Sequence, residues 1–432
     1  MTPRQLAFRL LQKYATSDQY SNLALDHALS GSDLSEADRR LVSALFYGVI
    51  ESRITLDYQI SRLSERPLEK LDLPTLTALR MGLYQLIRLD RIPTHAAIYE
   101  TVSLVPRKSA PFVNAVLRAY TRTPGVLLPE GESVTPAERL SVACSVLPAL
   151  AEKFIRVYGE ERAEKILNAF GQNPAITLRV NSLKTSREAL ASMLGGAEPT
   201  ALSGGGLRLR GSVRQLPGFE EGLFFVQDEA SQLCVEALGA IPGDTVMDVC
   251  ACPGSKSFGC AVRMRNTGRV FSFDLHEKKL SLIESGAQRL GITIITPSVQ
   301  DAREPIAELV GRADRVLCDV PCSGFGVIAK KPELRYKNPA DSAALPAIQS
   351  AILENACRYV APGGVLVYST CTVFPEENQD NVVRFLERHP EFSLTPFRAG
   401  ALDCPAGMIT LLPDEFPTDG FFIARMEKKG AL

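Results

Sequence analysis

Apolar residues recur at helical spacing through the first quarter of the chain. Leu41, Val42, Leu45, Phe46, Val49 and Ile50 share one helix face, and Ser35 with Asp38 reads as a capping box ahead of them. Leu76, Leu79, Leu83, Leu86 and Ile87 mark another helix that ends near Pro93, and Phe112, Val113, Val116, Leu117 and Tyr120 mark a third. These stripes predict an all-helical domain over residues 1–125 and are read as core, without chemistry. The stretch from Thr123-Pro124-Gly125 through Pro129-Glu130-Gly131-Glu132 reads as a linker. Residues 136–225 are mixed. A helix from about Pro148 to Phe170, a strand at Ile176–Val180 and a glycine turn at Gly204-Gly205-Gly206 predict a small α+β module. From about residue 226 the period changes. Short β-rich runs at Thr245–Val249, Arg269–Phe273, Thr293–Thr296, Arg315–Cys318 and Gly364–Tyr368 alternate with helical stretches, which predicts a mostly parallel sheet with helices on both faces. Met408–Leu412 and Gly420–Arg425 lie close enough in sequence to pair as an antiparallel edge. There is no internal repeat and no low-complexity tract.

Composition narrows the class. At 432 residues two or three domains are expected, and 45% hydrophobic with 22% charged residues excludes a disordered chain. No apolar run is long enough to span a bilayer. The opening Met-Thr-Pro-Arg-Gln leads into an amphipathic pattern without the apolar core of a signal peptide, so a soluble cytoplasmic protein is expected. The ten cysteines are not laid out as a disulfide framework. With no Cys-x-x-Cys pair and four scattered histidines, no metal site is expected. The net charge of −1 announces no nucleic-acid partner, but it is uneven. Residues 1–125 hold 16 Lys+Arg against 12 Asp+Glu, and the remainder 32 against 37. A basic N-terminal part is compatible with RNA binding there.

In an open parallel sheet, ligands bind beyond the carboxyl ends of the strands. Asp248 and then Cys250-Ala251-Cys252-Pro253-Gly254-Ser255-Lys256 follow the first run; Asp274 follows the second and Asp301 the third. Asp319 and Pro321-Cys322-Ser323-Gly324 follow the fourth, and Ser369-Thr370-Cys371-Thr372 the fifth. Gly254 precedes Asp274 by 20 residues, a spacing that puts an acid within reach of ribose hydroxyls. The turn lacks G-x-G-x-x-G, and Cys250 and Ser255 stand where a P-loop has its glycines, so the ligand need not carry phosphates. S-adenosylmethionine (SAM) fits this description. The competing reading, a turn that only bends the chain, is weakened by Asp274 and Asp301. Cys144, Cys234, Cys260, Cys318 and Cys357 read as small buried hydrophobes. Cys322 and Cys371, flanked by polar or turn-forming residues beyond a strand, read as nucleophile candidates. Carbon 5 of cytosine gives a thiol and SAM a reason to share one site. A thiolate added to carbon 6 makes an enamine whose carbon 5 can attack a methyl donor; a base must then take the carbon 5 proton so that the thiol can leave.

The stretches DVCACPGSKS (248–257), FSFDLHEKKL (271–280), VQDARE (299–304), DRVLCDVPCSGFG (314–326) and VYSTCTVFPEEN (367–378) resemble the RNA cytosine-5 methyltransferase family that includes the Sun/Fmu (RsmB-type) enzymes and the NOL1/NOP2 proteins. FVQDEASQL (225–233), LRVNSLKT (178–185) and DGFF (419–422) match too. LAFRLLQKY (6–14), RRLVSALFYGVIESR (39–53), LRMGLYQLIRLDRIP (79–93) and PFVNAVLRAYTR (111–122) resemble the NusB-like domain that precedes the core in RsmB-type enzymes. The resemblance implies a NusB-like helical RNA-binding domain at 1–125, a small RRM-like module at 136–225 and a Rossmann-like SAM-dependent methyltransferase domain at 226–432. It implies methylation of a cytosine of 16S rRNA; a monomer is expected. It also implies roles. Cys250, Ala251, Cys252, Pro253, Gly254, Ser255 and Lys256 would hold the methionine part of SAM through backbone groups, Asp274 the ribose, and Asp301 would lie near the adenine. Asp319 would stand between cofactor and base, Cys371 would be the nucleophile, and Cys322 would assist release. Cys252 and Ser255 replace the family's usual Ala and Gly, the latter where glycine's conformational freedom is an advantage. The family's Trp near Pro148 is missing, and Leu150 is expected to fill its space. The competing readings are a tRNA or 23S rRNA substrate, an assembly factor without catalysis, and a cysteine hydrolase or thiol oxidoreductase. The last requires a histidine partner for Cys371; none lies in the adjoining motifs, and His276 reads as solvated.

Overall fold

The computed structural model describes residues 1–17, 21–171, 176–209 and 216–430. The chain forms two compact units, Met1–Gln172 with Ile328–Pro339, and Asn173–Val327 with Ala340–Leu432.

The first unit is helical: α1 (Pro3–Ala15), α2 (Ser21–Ser30), α3 (Glu36–Glu51), α4 (Arg53–Leu63), α5 (Leu73–Arg88), α6 (Thr94–Val102), α7 (Ala110–Arg122), α8 (Pro136–Cys144), α9 (Pro148–Tyr158) and α10 (Glu160–Ala169). The expected stripes on α3, α5 and α7 meet in one core that contains Leu45, Phe46, Leu79, Leu83, Val113 and Leu117. Ser35 caps α3 by accepting the Asp38 N–H at 3.2 Å. The return limb of the box differs from expectation: the shorter Asp38 carboxylate accepts the Ser35 hydroxyl at 2.8 Å. The single helix expected over Pro148–Phe170 is two. Gly159 sits between them at φ +77°, outside the helical region, and Glu160 and Glu161 then open α10, where acids favour a helix start. Leu150 is fully buried in α9. The stretch expected as a linker is clamped, because the Gln59 side chain binds both the carbonyl and the N–H of Leu127, at 2.8 and 2.9 Å.

Residues Ile328–Pro339 form a strap that belongs to this helical unit, although the chain on either side of it does not. Arg335, 2% exposed, donates to the carbonyls of Cys144 and Phe170 at 2.8 and 2.9 Å. The Tyr336 hydroxyl donates to the Ile50 carbonyl and accepts the Arg53 N–H at 3.1 Å.

The second unit opens with β1 (Ile176–Val180), α11 (Arg187–Leu194), β2 (Glu198–Pro199), β3 (Gly206–Leu209) and β4 (Phe224–Val226), whose strands make an antiparallel sheet in the order β2-β3-β1-β4. Then follow α12 (Glu229–Leu238), β5 (Thr245–Asp248), α13 (Ser255–Arg263), β6 (Arg269–Asp274), α14 (Glu277–Leu290), β7 (Ile295–Val299), β8 (Ala313–Asp319), α15 (Leu345–Tyr359), β9 (Val360–Thr370), α16 (Gln379–Arg388), β10 (Phe392–Leu394), β11 (Phe397–Ala399), β12 (Leu402–Cys404), β13 (Met408–Leu411) and β14 (Phe421–Lys428). The main sheet runs β10-β14-β9-β8-β5-β6-β7, with β13 on β14. It is parallel from β7 to β9 and antiparallel beyond. The third strand lies two residues later than expected, at Ile295–Val299; it carries Pro297, which its place at the sheet edge tolerates. The expected pairing of the last two runs is present, Met408 opposite Ala424, but β14 is interior, between β9 and β10.

Period-two alternation fills both faces. Val246, Leu317, Val365 and Val367 pack with α12, α13 and α14; Met247, Val316, Cys318, Leu366 and Tyr368 pack with α15 and α16. Each fully buried Val, Leu or Phe contributes about 1.5–3 kcal/mol of transfer free energy. Asn181 welds the small module to this domain by donating to the carbonyls of Gly222 and Leu290, both at 2.9 Å. Among the described residues no helix is long and apolar enough to cross a membrane.

Candidate active site

The chain builds β5, β6 and β7 outward, then returns to lay β8 on the other side of β5. The β5/β8 boundary is therefore the switch point, where the loops at the carboxyl ends part and leave a crevice. The turn from Cys250 to Lys256 lies there, beyond β5. Gly254 takes φ +107°, and a Cβ at that position would come within 2.6 Å of the Phe258 ring. The left-handed position thus falls on Gly254; Ser255 is the first residue of α13 and needs no special conformation, so its replacement of glycine is accommodated. No side chain caps α13, so its first N–H groups face the crevice end of the helix, where a carboxylate is favoured. The Gln227 amide holds the Ser255 carbonyl at 3.0 Å, and buried Arg179 donates to Gln227 at 3.2 Å.

Asp274 ends β6 and accepts the Cys252 N–H at 3.3 Å and the His276 N–H at 2.9 Å. His276 itself is exposed. A carboxylate held by two backbone bonds at a strand end keeps acceptor capacity for ribose hydroxyls. An uncapped helix start, a backbone turn and this carboxylate form a donor and acceptor set that fits SAM. Asp301, two residues past β7, is already engaged: Arg303 grips both its oxygens, the shortest contact being 2.6 Å. That hydrogen bonding holds its carboxyl down to about 2.

Across the switch point, Lys256 Nζ reaches Asp319 Oδ2 at 2.6 Å, with 12% and 24% of the two side chains exposed. Burial pulls the lysine pKa down, but the Asp319 carboxylate and nearby sulfurs, Cys371 among them, more than restore it, so the ammonium stays charged. Ser369 donates to the other Asp319 oxygen at 2.7 Å. Sequence reading assigned Lys256 only a backbone role. Its side chain joins the β5 turn to the end of β8, and only the strand order reveals that these are neighbours.

Cys322 and Cys371, 49 residues apart in sequence, bring their sulfurs to 3.1 Å. The Cys322 thiol is pushed well above the ordinary range, first by its hydrogen bond with Cys371 and then by burial. That direction favours the protonated thiol at Cys322, and either sulfur of the pair can act as the donor. The five cysteines read as core are all buried; burial raises Cys144 to about 11 and Cys234 and Cys357 to about 12.

Both cysteine loops are braced from one short segment, Pro375–Asn378. The Glu377 carboxylate, 1% exposed, accepts the Ser323 N–H at 2.9 Å and the Gln349 amide at 2.8 Å. Asn378 accepts the Thr370 hydroxyl at 2.5 Å and donates to the Thr372 carbonyl at 3.0 Å. The Gly326 N–H donates to the Cys371 carbonyl at 2.9 Å, and the Gly420 N–H to the Gly326 carbonyl at 2.8 Å. A Cβ on Gly326 would meet the Gly420 carbonyl oxygen at 1.9 Å, so the two glycines permit an approach no other residue allows. Sequence reading missed Ser369, Gln349, Glu377 and Asn378 as site residues. Three of them stood inside a recognised motif, but nothing in the spacing said what they touch.

A family model of the 16S rRNA methyltransferase RsmB/F matches residues 235–427. The NusB family model matches residues 1–122, and that of the RsmF/B-like ferredoxin-like domain residues 149–214. The probable ribosomal RNA small subunit methyltransferase B of Bacillus subtilis (strain 168) is 38% identical over 99% of both chains. Its counterpart in Synechocystis sp. is 37% identical over 99% of this chain and 100% of the relative. Among solved structures, that of PH0851 superposes with a TM-score of 0.79 at 26% identity, covering 99% of both chains.

Proposed function

The chain belongs to the ribosomal RNA small subunit methyltransferase B family, and from that premise we propose that it methylates carbon 5 of a cytosine in 16S rRNA through a covalent bond from Cys371 to carbon 6 of the base. SAM, when bound, supplies the methyl group. On this reading the backbone of Cys250–Lys256 and the start of α13 hold its methionine part and Asp274 its ribose. The adenine assignment for Asp301 requires that carboxylate to be shared with Arg303.

The observation that carries the proposal is the 3.1 Å approach of Cys322 to Cys371 beside the Lys256–Asp319 pair. A thiol donor and a buried ammonium both favour a thiolate on Cys371. Asp319, held by Lys256 and Ser369, faces the same crevice and can accept a hydrogen bond from the exocyclic amine of cytosine. Cys371 adds to carbon 6, and carbon 5 gains nucleophilic character. Once carbon 5 carries the methyl group, a base at the site takes the carbon 5 proton, the pair from that carbon–hydrogen bond re-forms the carbon 5–carbon 6 double bond, and the carbon–sulfur bond breaks with its electron pair returning to Cys371. The same S–H donor that favoured the thiolate as nucleophile favours it as leaving group, which gives Cys322 its role in release.

Cys371→Ala should abolish methyl transfer and leave SAM affinity within about twofold, since truncation there removes no cofactor contact in this reading. Cys322→Ala should accumulate an RNA–protein adduct, visible as a slow band in denaturing gels that depends on SAM and on Cys371. A Cys322→Ala protein that turns over normally without a band would defeat the release role; substantial turnover by Cys371→Ala would defeat the nucleophile.

A further inference from the structure

The positive excess of residues 1–125 has a single source. Residues 1–87 hold ten Lys+Arg and ten Asp+Glu, whereas residues 88–122 hold six basic side chains against Asp90 and Glu100. The six are Arg88, Arg91, Arg107, Lys108, Arg118 and Arg122, and all are exposed. Among the described residues none of them is ion-paired with a carboxylate. Unpaired charge of one sign concentrated in one exposed segment is a standing attraction for a polyanion.

The same stretch contains a groove of about 410 Å³ between α6 and α7. Ile98 and Val102 line its apolar part, and His95, Tyr99, Asn114 and Arg118 its polar part. Tyr99 is 75% exposed, the most open large hydrophobic side chain among the described residues. Asn114 accepts the Arg118 Nε–H at 3.1 Å, which fixes the plane of the guanidinium at the groove and leaves its outer edge to a ligand. An open aromatic ring, an oriented guanidinium, an imidazole and an amide, in the segment that carries the unpaired cations, are the side chains that stack on and hydrogen-bond unpaired bases while holding the backbone.

We propose that the α6–α7 groove binds a single-stranded segment of the RNA substrate, with a base stacked on Tyr99 and Arg118 on an adjoining phosphate or base edge. The proposal rests on the reading of this chain as an RNA methyltransferase and adds where the helical unit grips its substrate. An acidic protein partner would also meet the charge, but it gives no use to an open ring next to an oriented guanidinium.

The test uses the full chain and an unmodified 16S rRNA transcript, with affinity measured over a range of salt concentrations. Tyr99→Ala should weaken binding about tenfold, the scale of one lost base stack, and Tyr99→Phe should restore most of it. Arg118→Ala should weaken binding and reduce the slope of log Kd against log salt by about one. In methyl transfer the loss should fall on KM for RNA rather than on kcat, with SAM affinity retained. Both side chains are exposed, and thermal melts check that folding is intact. Wild-type affinity and salt slope in both alanine variants would overturn the proposal. So would variants that bind the naked transcript normally but lose affinity for the small-subunit particle, which would assign the groove to a protein. If the wild type transfers no methyl group while the variants still lose RNA affinity, the groove stands and the enzymatic reading falls.

Discussion

At the scale of single residues, the site is governed by who holds which proton. Burial and the contact with Cys371 favour the protonated thiol at Cys322, while Lys256 keeps its charge against burial because Asp319 lies 2.6 Å away. Asp248, at the end of β5, is a third case: burial pushes its carboxyl up to about 7 from 3.8, against the hydrogen bond from Ser257. Its folded value lies above its unfolded value, so the folded state binds this proton more tightly. That stabilisation is complete below about pH 4 and is lost as pH rises through about 7. Asp248→Asn should remove this part of the pH dependence, so the wild-type melting temperature should fall more than the variant's between pH 4 and 7. Parallel curves for the two proteins would contradict it. Much at this scale was legible in the chain. Four carboxylates and two cysteines stood at strand ends, and the cysteines read as core differed from Cys322 and Cys371 in their neighbours. Partners brought together by the strand order were not legible. Lys256 and Asp319 are 63 residues apart, and neither spacing nor composition says that β8 lies beside β5.

At the scale of elements, the site depends on rigid strands and on one brace. β8 and β9 deliver Cys322 and Cys371 beyond the same, carboxyl end of the sheet, and Pro375–Asn378 ties the two loops together through Glu377 and Asn378. Glu377→Ala removes the single oxygen that accepts both the Ser323 N–H and the Gln349 amide. We expect kcat to fall about ten- to hundredfold, the usual effect of slightly misplaced reacting groups, with KM for SAM nearly unchanged. Steady-state kinetics check this, and a wild-type kcat would show that the cysteine loops hold themselves. The strands were readable because period-two patterning survives burial on both faces. The break at Gly159 was not, because apolar residues on both sides of it keep helical spacing.

At the scale of the molecule, the strap Ile328–Pro339 completes the helical unit, although it is encoded between two segments of the other unit. Arg335 satisfies the carbonyls of Cys144 and Phe170, at the ends of α8 and α10. Arg335→Ala should destabilise the helical unit by about 2 kcal/mol, the scale of lost hydrogen bonds to a charged group. Hydrogen exchange of the α8–α10 amides would report it, and unchanged protection would mean that the strap only rests there. No periodicity in the chain announced the strap, since its contacts are long-range and polar. The central claim is cytosine-5 methylation of 16S rRNA through Cys371. The most direct test is transfer of labelled methyl from SAM to unmodified 16S rRNA, 23S rRNA and bulk tRNA in parallel, with Cys371→Ala beside the wild type and nucleoside analysis of the product. The account predicts label in 16S rRNA alone, recovered as 5-methylcytidine and absent with the variant. Label in another RNA, in another nucleoside, or undiminished in the variant would contradict it.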